Sequence, residues 1–390
     1  MKLARATFAA VAGLLGLGAP AVAQTTVTLS KPQAEFPEPF TQVSGVRELP
    51  GGKVLVADIR DKIVQMVDLA TGDAVKVGRE GQGPGEYALP VDLLAMPGNK
   101  TWVVDMMGRR FLEVTPDGKP AETVPMFNTG GSRMIMVGRN TGVDAKGRLY
   151  FQASPFQIGA GGSINTAESP DSLAIQRWVP GQESLDTVAW IRPPKSNVSS
   201  TPSGGGRQVM VRIGGSKVYT PQEAWGVDAS GRVARVTPEP YRVIWYDGAR
   251  ARSGQTIPYT PIRVTDADKK AYTEAQRSSA PIAVSFSAGG GANRSSGGPV
   301  PANGLPAPEF EETKPAFSGA QVAPNGEVWV ARNRPAGDDK PLYDVFDGAG
   351  KLVRQVRLAP RSSVVGFGNG TVYVVRRDED DLQYLQRFAH

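Results

Sequence analysis

The sequence predicts an all-β fold, and three observations carry that prediction. The first is a repeat. From Val43 to the end of the chain an apolar strand leads into a tight turn and a second apolar strand, again and again. The spacing is roughly 40–50 residues, the period of four-stranded propeller blades. The second is turn chemistry. The units align on Gly52, Asn99, Gly147, Gly231, Gly326 and Gly370, residue types that accept the left-handed backbone of tight hairpins. The third is composition. Gly (46) and Pro (32) make up a fifth of 390 residues while 40% are hydrophobic, which suits short strands around a real core and disfavours an all-helical, collagen-like or disordered chain. Together they specify a six-bladed β-propeller occupying residues 24–390.

The chain opens with an address. Lys2 and Arg5 precede a short apolar run, Phe8 to Leu17, and Ala21-Val22-Ala23 is a small-x-small cleavage pattern. Residues 1–23 therefore read as a signal peptide cut before Gln24. The run is shorter than the ~20 residues a spanning helix needs. A periplasmic or extracellular protein is expected, with no membrane span. The absence of Cys rules out disulfides, thiolate metal sites and a Cys nucleophile. The single His, His390, leaves no basis for a histidine triad or a histidine-ligated metal. The net charge of +6 is mild for this length and unclustered, so nucleic acid is not expected as a partner.

The mature N-terminus, Thr25 to Leu29, is β-prone. The sixth unit, Ser362 to the end, lacks a fourth strand, so Thr25–Leu29 is expected to supply it and close the ring. Blade one spans Val43–Gly78, blade two Pro90–Met126, blade three begins at Thr141 and resumes at Leu173, blade four spans Ala224–Tyr259, and blade five begins at Phe317 and resumes at Leu342. The intervals Gly147–Gly231 and Gly231–Gly326 are long. They lack a paired strand-and-turn pattern, apart from a hairpin within Gln208–Thr220, so they hold insertions rather than further blades.

Turns between strands A and B, and between C and D, are all short. The long pieces, Ser154–Ser172, Arg192–Gln222, Pro261–Ala316 and Arg334–Pro341, are B–C or D–A connections. In an up-and-down blade these share one rim, and long loops gathered on one rim usually serve function. Within 261–316 a helix is predicted over Thr265–Arg277, with Thr265 as cap and Asp268 at the third position. A glycine-rich stretch, Ala288–Gly298, follows. Helix and stretch together make a lid over the channel mouth or, equally, a disordered excursion.

Blades one and two carry a further pattern. An Asp closes strand B (Asp58), strand C reads Val64-Gln-Met-Val-Asp68, and the linker contains Gly78 and Gly81-Gln-Gly-Pro-Gly-Glu86. This resembles NHL repeats. The family's Arg five positions after the Asp is present in blade two (Asp105, Arg110), whereas Ile63 holds that place in blade one. The whole chain is also similar to exported bacterial six-bladed propellers of unassigned function. The resemblance implies a binding scaffold and no particular chemistry. It also implies that Asp58 and Asp105 hold backbone amides or a neighbouring arginine.

Two columns near the loop-bearing rim supply candidate site residues. The ends of strands B hold Asp58, Asp105, Ala153, Thr237, Arg332 and Arg376; an ion-pair ring among the charged members, or ligand contact, are the two readings. The starts of strands A, nearest the axis, hold Ser44, Val91 or Asp92, Arg139, Glu223, Ser318 and Ser362. A one-residue slip in register reverses which side chains face inward. Asp92, Arg139 and Glu223 could meet a sugar, peptide or acid through charge-assisted bonds. Trp225 either packs between blades or stacks on a ligand.

The leading expectation is a monomeric binding protein without a cofactor, engaging a small polar ligand or a protein on the loop-bearing face. The alternative is a calcium-dependent hydrolase or lactonase, for which Asp92, Glu223 and Asn140 are the available oxygen ligands.

Overall fold

The computed structural model describes residues 25–126, 141–153, 157–158, 164–165, 171–193, 197–203, 208–214, 217–278 and 308–390. The expected signal peptide and the Ala288–Gly298 stretch lie outside the described residues, as do Arg139 and Asn140.

Six antiparallel sheets form a six-bladed propeller with one helix. Blade one is Val43–Glu48, Val54–Asp58, Ile63–Val67 and Ala74–Lys76. Blade two is Pro90–Ala95, Thr101–Asp105, Arg110–Val114 and Pro120–Pro125. Blade three is Gly142–Val143, Leu149–Gln152, Leu173–Trp178 and Leu185–Ile191. Blade four is Ala224–Val227, Val233–Pro238, Tyr241–Asp247 and Arg250–Ser253. Blade five is Phe317–Val322, Val328–Arg332, Leu342–Phe346 and Leu352–Leu358. Blade six contributes Ser362–Phe367, Thr371–Arg377 and Gln383–Ala389. The six aligned turn residues all have positive φ, from 58° at Asn99 to 91° at Gly231.

The core is six seams rather than one centre. In strand B of blade one, Val54 and Val56 point to blade six while Leu55 and Ala57 point to blade two, and all are fully buried. The period-two alternation of a strand thus feeds two separate seams. The other five seams are built alike, for example Val236 and Trp245 of blade four against Phe317 and Val330 of blade five. Burying each such side chain contributes roughly 1.5–3 kcal/mol, so no blade can hold this surface apart from its neighbours.

The N-terminal expectation is corrected. Thr26–Leu29 lies parallel to the outer strand of blade five, pairing Thr26 with Gln355 and Leu29 with Leu358. The fourth strand of blade six is Ala34–Glu35, antiparallel to Gln383–Ala389. The reason is packing. Thr26–Val27–Thr28 are exposed and Leu29 alone reaches a seam. Phe36 and Phe40, beside Ala34–Glu35, are 1% and 5% exposed between blades six and one. β-Propensity favours the first segment, since Ala and Glu are poor strand formers, whereas burial favours the second.

The described parts of the excursions belong to B–C or D–A connections, which share one rim. Gln157–Ile158 pairs with Ile164–Asn165 within blade three. Asn197–Ser203 pairs with Gln208–Gly214 between blades three and four. That hairpin has a first arm upstream of the predicted Gln208–Thr220. Between blades four and five, Ile262–Arg263 pairs with Thr313–Lys314 beneath helix α1, Asp266–Ser278. Its N-terminus is a capping box: the Asp268 amide donates to Thr265 Oγ1 (3.3 Å) and the Thr265 amide donates to Asp268 Oδ2 (2.8 Å).

Strand A packs tightly at the axis in blade one and loosely in blade five. A Cβ on Gly45 would stand 2.7 Å from the Leu93 amide nitrogen of blade two, whereas one on the equivalent Gly319 would meet nothing within 4 Å. Gly45→Ala is therefore expected to destabilise by about 1–3 kcal/mol. Gly319→Ala should stay within about 0.5 kcal/mol of the parent. Urea unfolding of the two variants checks this; equal losses would mean that the two seams are equally tight.

Candidate functional site

The innermost strands enclose an axial channel of about 1230 Å³. Its polar wall includes Ser44, Asp92, Thr141, Gln321 and Ser363 among small apolar residues. Backbone packing brings the wall together. Positions that would hold a Cβ at Gly142 and Gly226 fall 2.2 and 2.6 Å from side-chain carbons of Val227 and Val322 in the next blade. Hydrogen bonds also cross from blade to blade. Ser44 Oγ donates to the Pro90 carbonyl at 3.2 Å and Gln321 Nε2 to the Val364 carbonyl at 3.0 Å.

The sequence left the register of strand A open by one residue, and the structure shows why. The ladder shifts between Val43 and Gly45, between Pro90 and Asp92, and between Phe317 and Gly319. Ser44, Val91 and Ser318 are the extra residues of three equivalent bulges. In blade two the bulge turns Val91 into the core and leaves Asp92 partly buried on the channel wall. Asp92 Oδ1 accepts from the Leu93 amide at 2.8 Å and lies beside Gly45.

The strand B column works locally. Asp58, 3% exposed, accepts from four backbone amides, those of Thr41, Gln42, Arg60 and Asp61, at 2.6–3.1 Å. Asp105, fully buried, accepts from the amides of Leu89 and Gly108 and from Arg110 Nε at 3.0 Å. Arg110 in turn donates to the carbonyls of Gly81, Gln82 and Glu86, pinning the glycine-rich linker to its own blade. Blade five inverts the arrangement. Arg332 stands on strand B and donates to Asp344 on strand C at 2.8 Å, and Asp344 also accepts from Tyr241 OH and Gln355 Nε2. Arg376 pairs with Glu35 of the edge strand at 3.2 Å. The ion-pair ring expected among Asp58, Asp105, Arg332 and Arg376 does not form, because each charge is matched inside its own blade or by the strand added to it.

Glu223 is likewise committed. Arg235 Nε and Nη2 donate to its two carboxylate oxygens at 2.7 and 2.5 Å, and the Arg192 amide donates at 2.8 Å. Trp225, 7% exposed, packs with Tyr150, Ile175 and Ile191 in the seam between blades three and four. Among the described residues no group of three His, Asp or Glu side chains converges as a cation would require. Of the three candidate calcium ligands, Glu223 is held by Arg235 and Asn140 lies outside the described residues.

Sequence reasoning missed two clusters. On the loop-bearing rim Lys314 Nζ donates to Asp268 Oδ1 and to the Arg334 carbonyl, both at 2.6 Å, with the lysine 6% and the aspartate 2% exposed. The Lys314 ammonium lies 5.1 Å from the Tyr219 ring. Val218 bridges to Phe310 in parallel, so the two long D–A insertions are joined to each other and to blade five. On the opposite face Arg354 grips Glu327 with two bonds at 2.6 and 2.8 Å. The imidazole of His390 donates to the same carboxylate at 2.9 Å and stacks on Trp329. Partners 20 to 95 residues apart leave no signal in a linear pattern.

No family model matches the chain, and no curated protein matches it. Solved structures resemble the chain at low identity. A candidate exported protein of Bacteroides fragilis is 12% identical, with a TM-score of 0.46 over 92% of this chain and 94% of that one. Virginiamycin B lyase of Staphylococcus aureus is 10% identical, TM-score 0.40, over 91% and 98%. Regucalcin of Agrobacterium tumefaciens, a calcium-binding protein, is 11% identical, TM-score 0.41, over 94% and 98%. Likeness at this level carries nothing about chemistry from those proteins to this one.

The paired carboxylates set an acid limit. Burial opposes ionisation of Glu327 and of Asp268. Hydrogen bonds from His390 and Arg354, and from Lys314 and Thr265, outweigh it and hold both carboxyls below the usual range. A depressed carboxyl contributes stability that is complete above its unfolded value, about pH 4.3 for Glu and 3.9 for Asp, and is lost as pH falls through the folded value. Glu327→Gln is expected to lower the melting temperature at pH 7 and to flatten its decline below about pH 4.3. Melting curves from pH 7 to 2.5 test this; an unchanged acid slope would remove Glu327 from the account.

Proposed function

We propose that this protein is an exported, monomeric six-bladed propeller that binds a small polar ligand in its axial channel, entered from the loop-bearing rim, and does so as a binding protein rather than an enzyme. The observation that carries the reading is the placement of Asp92. A bulge sets a carboxylate on the channel wall, toward the end from which the long connections emerge. A carboxylate there is suited to accept charge-assisted hydrogen bonds from hydroxyl or amine groups. A volume of about 1230 Å³ exceeds the range of about 300–1,000 Å³ typical of small-molecule pockets, so a disaccharide or short peptide fits the space. Helix α1 is anchored to the base of its insertion through Lys314 and Asp268. Export is supported by Lys2, Arg5, the Phe8–Leu17 run and Ala21-Val22-Ala23. Among the described residues no helix is long and apolar enough to cross a membrane.

The mature protein is to be screened by thermal shift against disaccharides, amino sugars and di- and tripeptides, with the best class titrated by calorimetry. At least one class should raise the melting temperature. Asp92→Asn should weaken that class roughly tenfold or more, the worth of one charged hydrogen bond. A ligand held equally well by Asp92→Asn would move the site out of the channel. N-terminal sequencing of protein recovered from a bacterial periplasm should begin at Gln24; retention of Met1 would end the export reading.

A further inference from the structure

Arg47 is the penultimate residue of the innermost strand of blade one and lines the channel near its turn-bearing end, opposite the long loops. Its Nη1 donates to the Glu48 carbonyl at 2.5 Å, and its Nε is buried with no hydrogen-bond partner. Among the described residues no carboxylate stands within ion-pairing distance of it. The adjacent acid is spent elsewhere. The Glu48 carboxylate accepts from Thr371 Oγ1 and Tyr373 OH, both at 2.6 Å, and from the Asn369 amide, all of blade six. The other charges on the wall are placed differently. Asp144 is matched by Arg148 Nε and Tyr150 OH, Arg377 is exposed, and Asp92 stands on the next blade, nearer the loop-bearing end.

Among the described residues Arg47 is thus a half-buried guanidinium with no ion-pair partner. Burial pulls its pKa below the ordinary arginine range, and the Glu48 charge restores only part of that. A buried charge left unpaired is costly, and replacing it with an apolar side chain usually stabilises. A guanidinium fork is also the side-chain geometry that best matches a planar or tetrahedral oxyanion.

We propose that the turn-bearing end of the channel is an oxyanion subsite in which Arg47 receives a carboxylate or phosphate group of the bound molecule. This rests on the channel being the ligand site and adds the ligand's chemical class. The molecule carries an acidic group directed toward Arg47 and hydroxyl or amine groups directed toward Asp92.

The test titrates inorganic phosphate and acetate separately into the mature protein at constant ionic strength, with melting temperature and calorimetry as readouts. At least one anion should raise the melting temperature of the parent, and which one does so distinguishes phosphate from carboxylate recognition. Arg47→Met should show at least a tenfold weaker response, the loss of one charged hydrogen bond, and in buffer without either anion should melt at or above the parent. Arg250→Met, which removes an exposed arginine on the outer strand of blade four, should respond as the parent does. Should Arg47→Met fail to fold, Arg47→Lys decides, since a point charge without the fork should retain a weakened response. The Asp92→Asn loss is read with the sugar or peptide class and the Arg47→Met loss with the free anions, so failure at Asp92 and failure at Arg47 are read separately. Absence of any anion effect in the parent overturns the subsite. So does an effect that persists in Arg47→Met, or an Arg47→Met protein that melts well below the parent, which would make Arg47 a strut.

Discussion

Each blade has two apolar faces and no way to bury either alone. That constraint organises the molecule. The central strands alternate side chains left and right, as Val54 and Val56 oppose Leu55 and Ala57, so every blade is bonded by packing to two neighbours. Six wedges satisfy the requirement only as a ring, and a ring has an axis. The channel is therefore a by-product of how strands bury their faces. Its wall is composed of whatever the innermost strands place there.

Polar groups follow the same economy. Buried acids are matched close to home, by turn amides at Asp58, by Arg110 at Asp105 and by Arg332 at Asp344. Blades two and five exchange the positions of acid and base between strands B and C. The ladder sets Asp105 opposite Arg110 and leaves Arg332 diagonal to Asp344, two residues along, so either order satisfies both charges. A motif defined by one order then fades along the chain while its physical purpose persists. Arg110 adds a second role by collecting three carbonyls of the glycine-rich linker, which would otherwise lack donors.

Against that background two charged residues on the channel wall stand out. Asp92 reaches the wall because a bulge displaces Val91 into the core, and Arg47 reaches it with its neighbouring acid drawn off to blade six. One end of the axis carries a carboxylate below long, mutually anchored insertions. The other carries a guanidinium among short turns. Opposite charges at the two ends of a narrow passage impose a direction on any elongated polar molecule within it.

The blade number, the turn positions, the helix cap at Thr265 and the rim bearing the insertions were all legible in the linear chain. They depend on local chemistry: left-handed residues at Gly52 or Asn99, alternation along a strand, and a Thr three residues before an Asp. Tertiary packing alone decided the rest. Thr25–Leu29 has the stronger strand character, yet the phenylalanines beside Ala34–Glu35 found a seam to fill. Glu223 and Asp92 look equivalent in sequence, yet an arginine twelve residues on claims one, and a bulge, which carries no local signature here, presents the other. Lys314 and Asp268, 46 residues apart, could be matched only once the insertion had folded back on its own base. Residue type and spacing govern what a segment forms, while the identity of its partner is settled by which distant surfaces the ring brings within a few ångström.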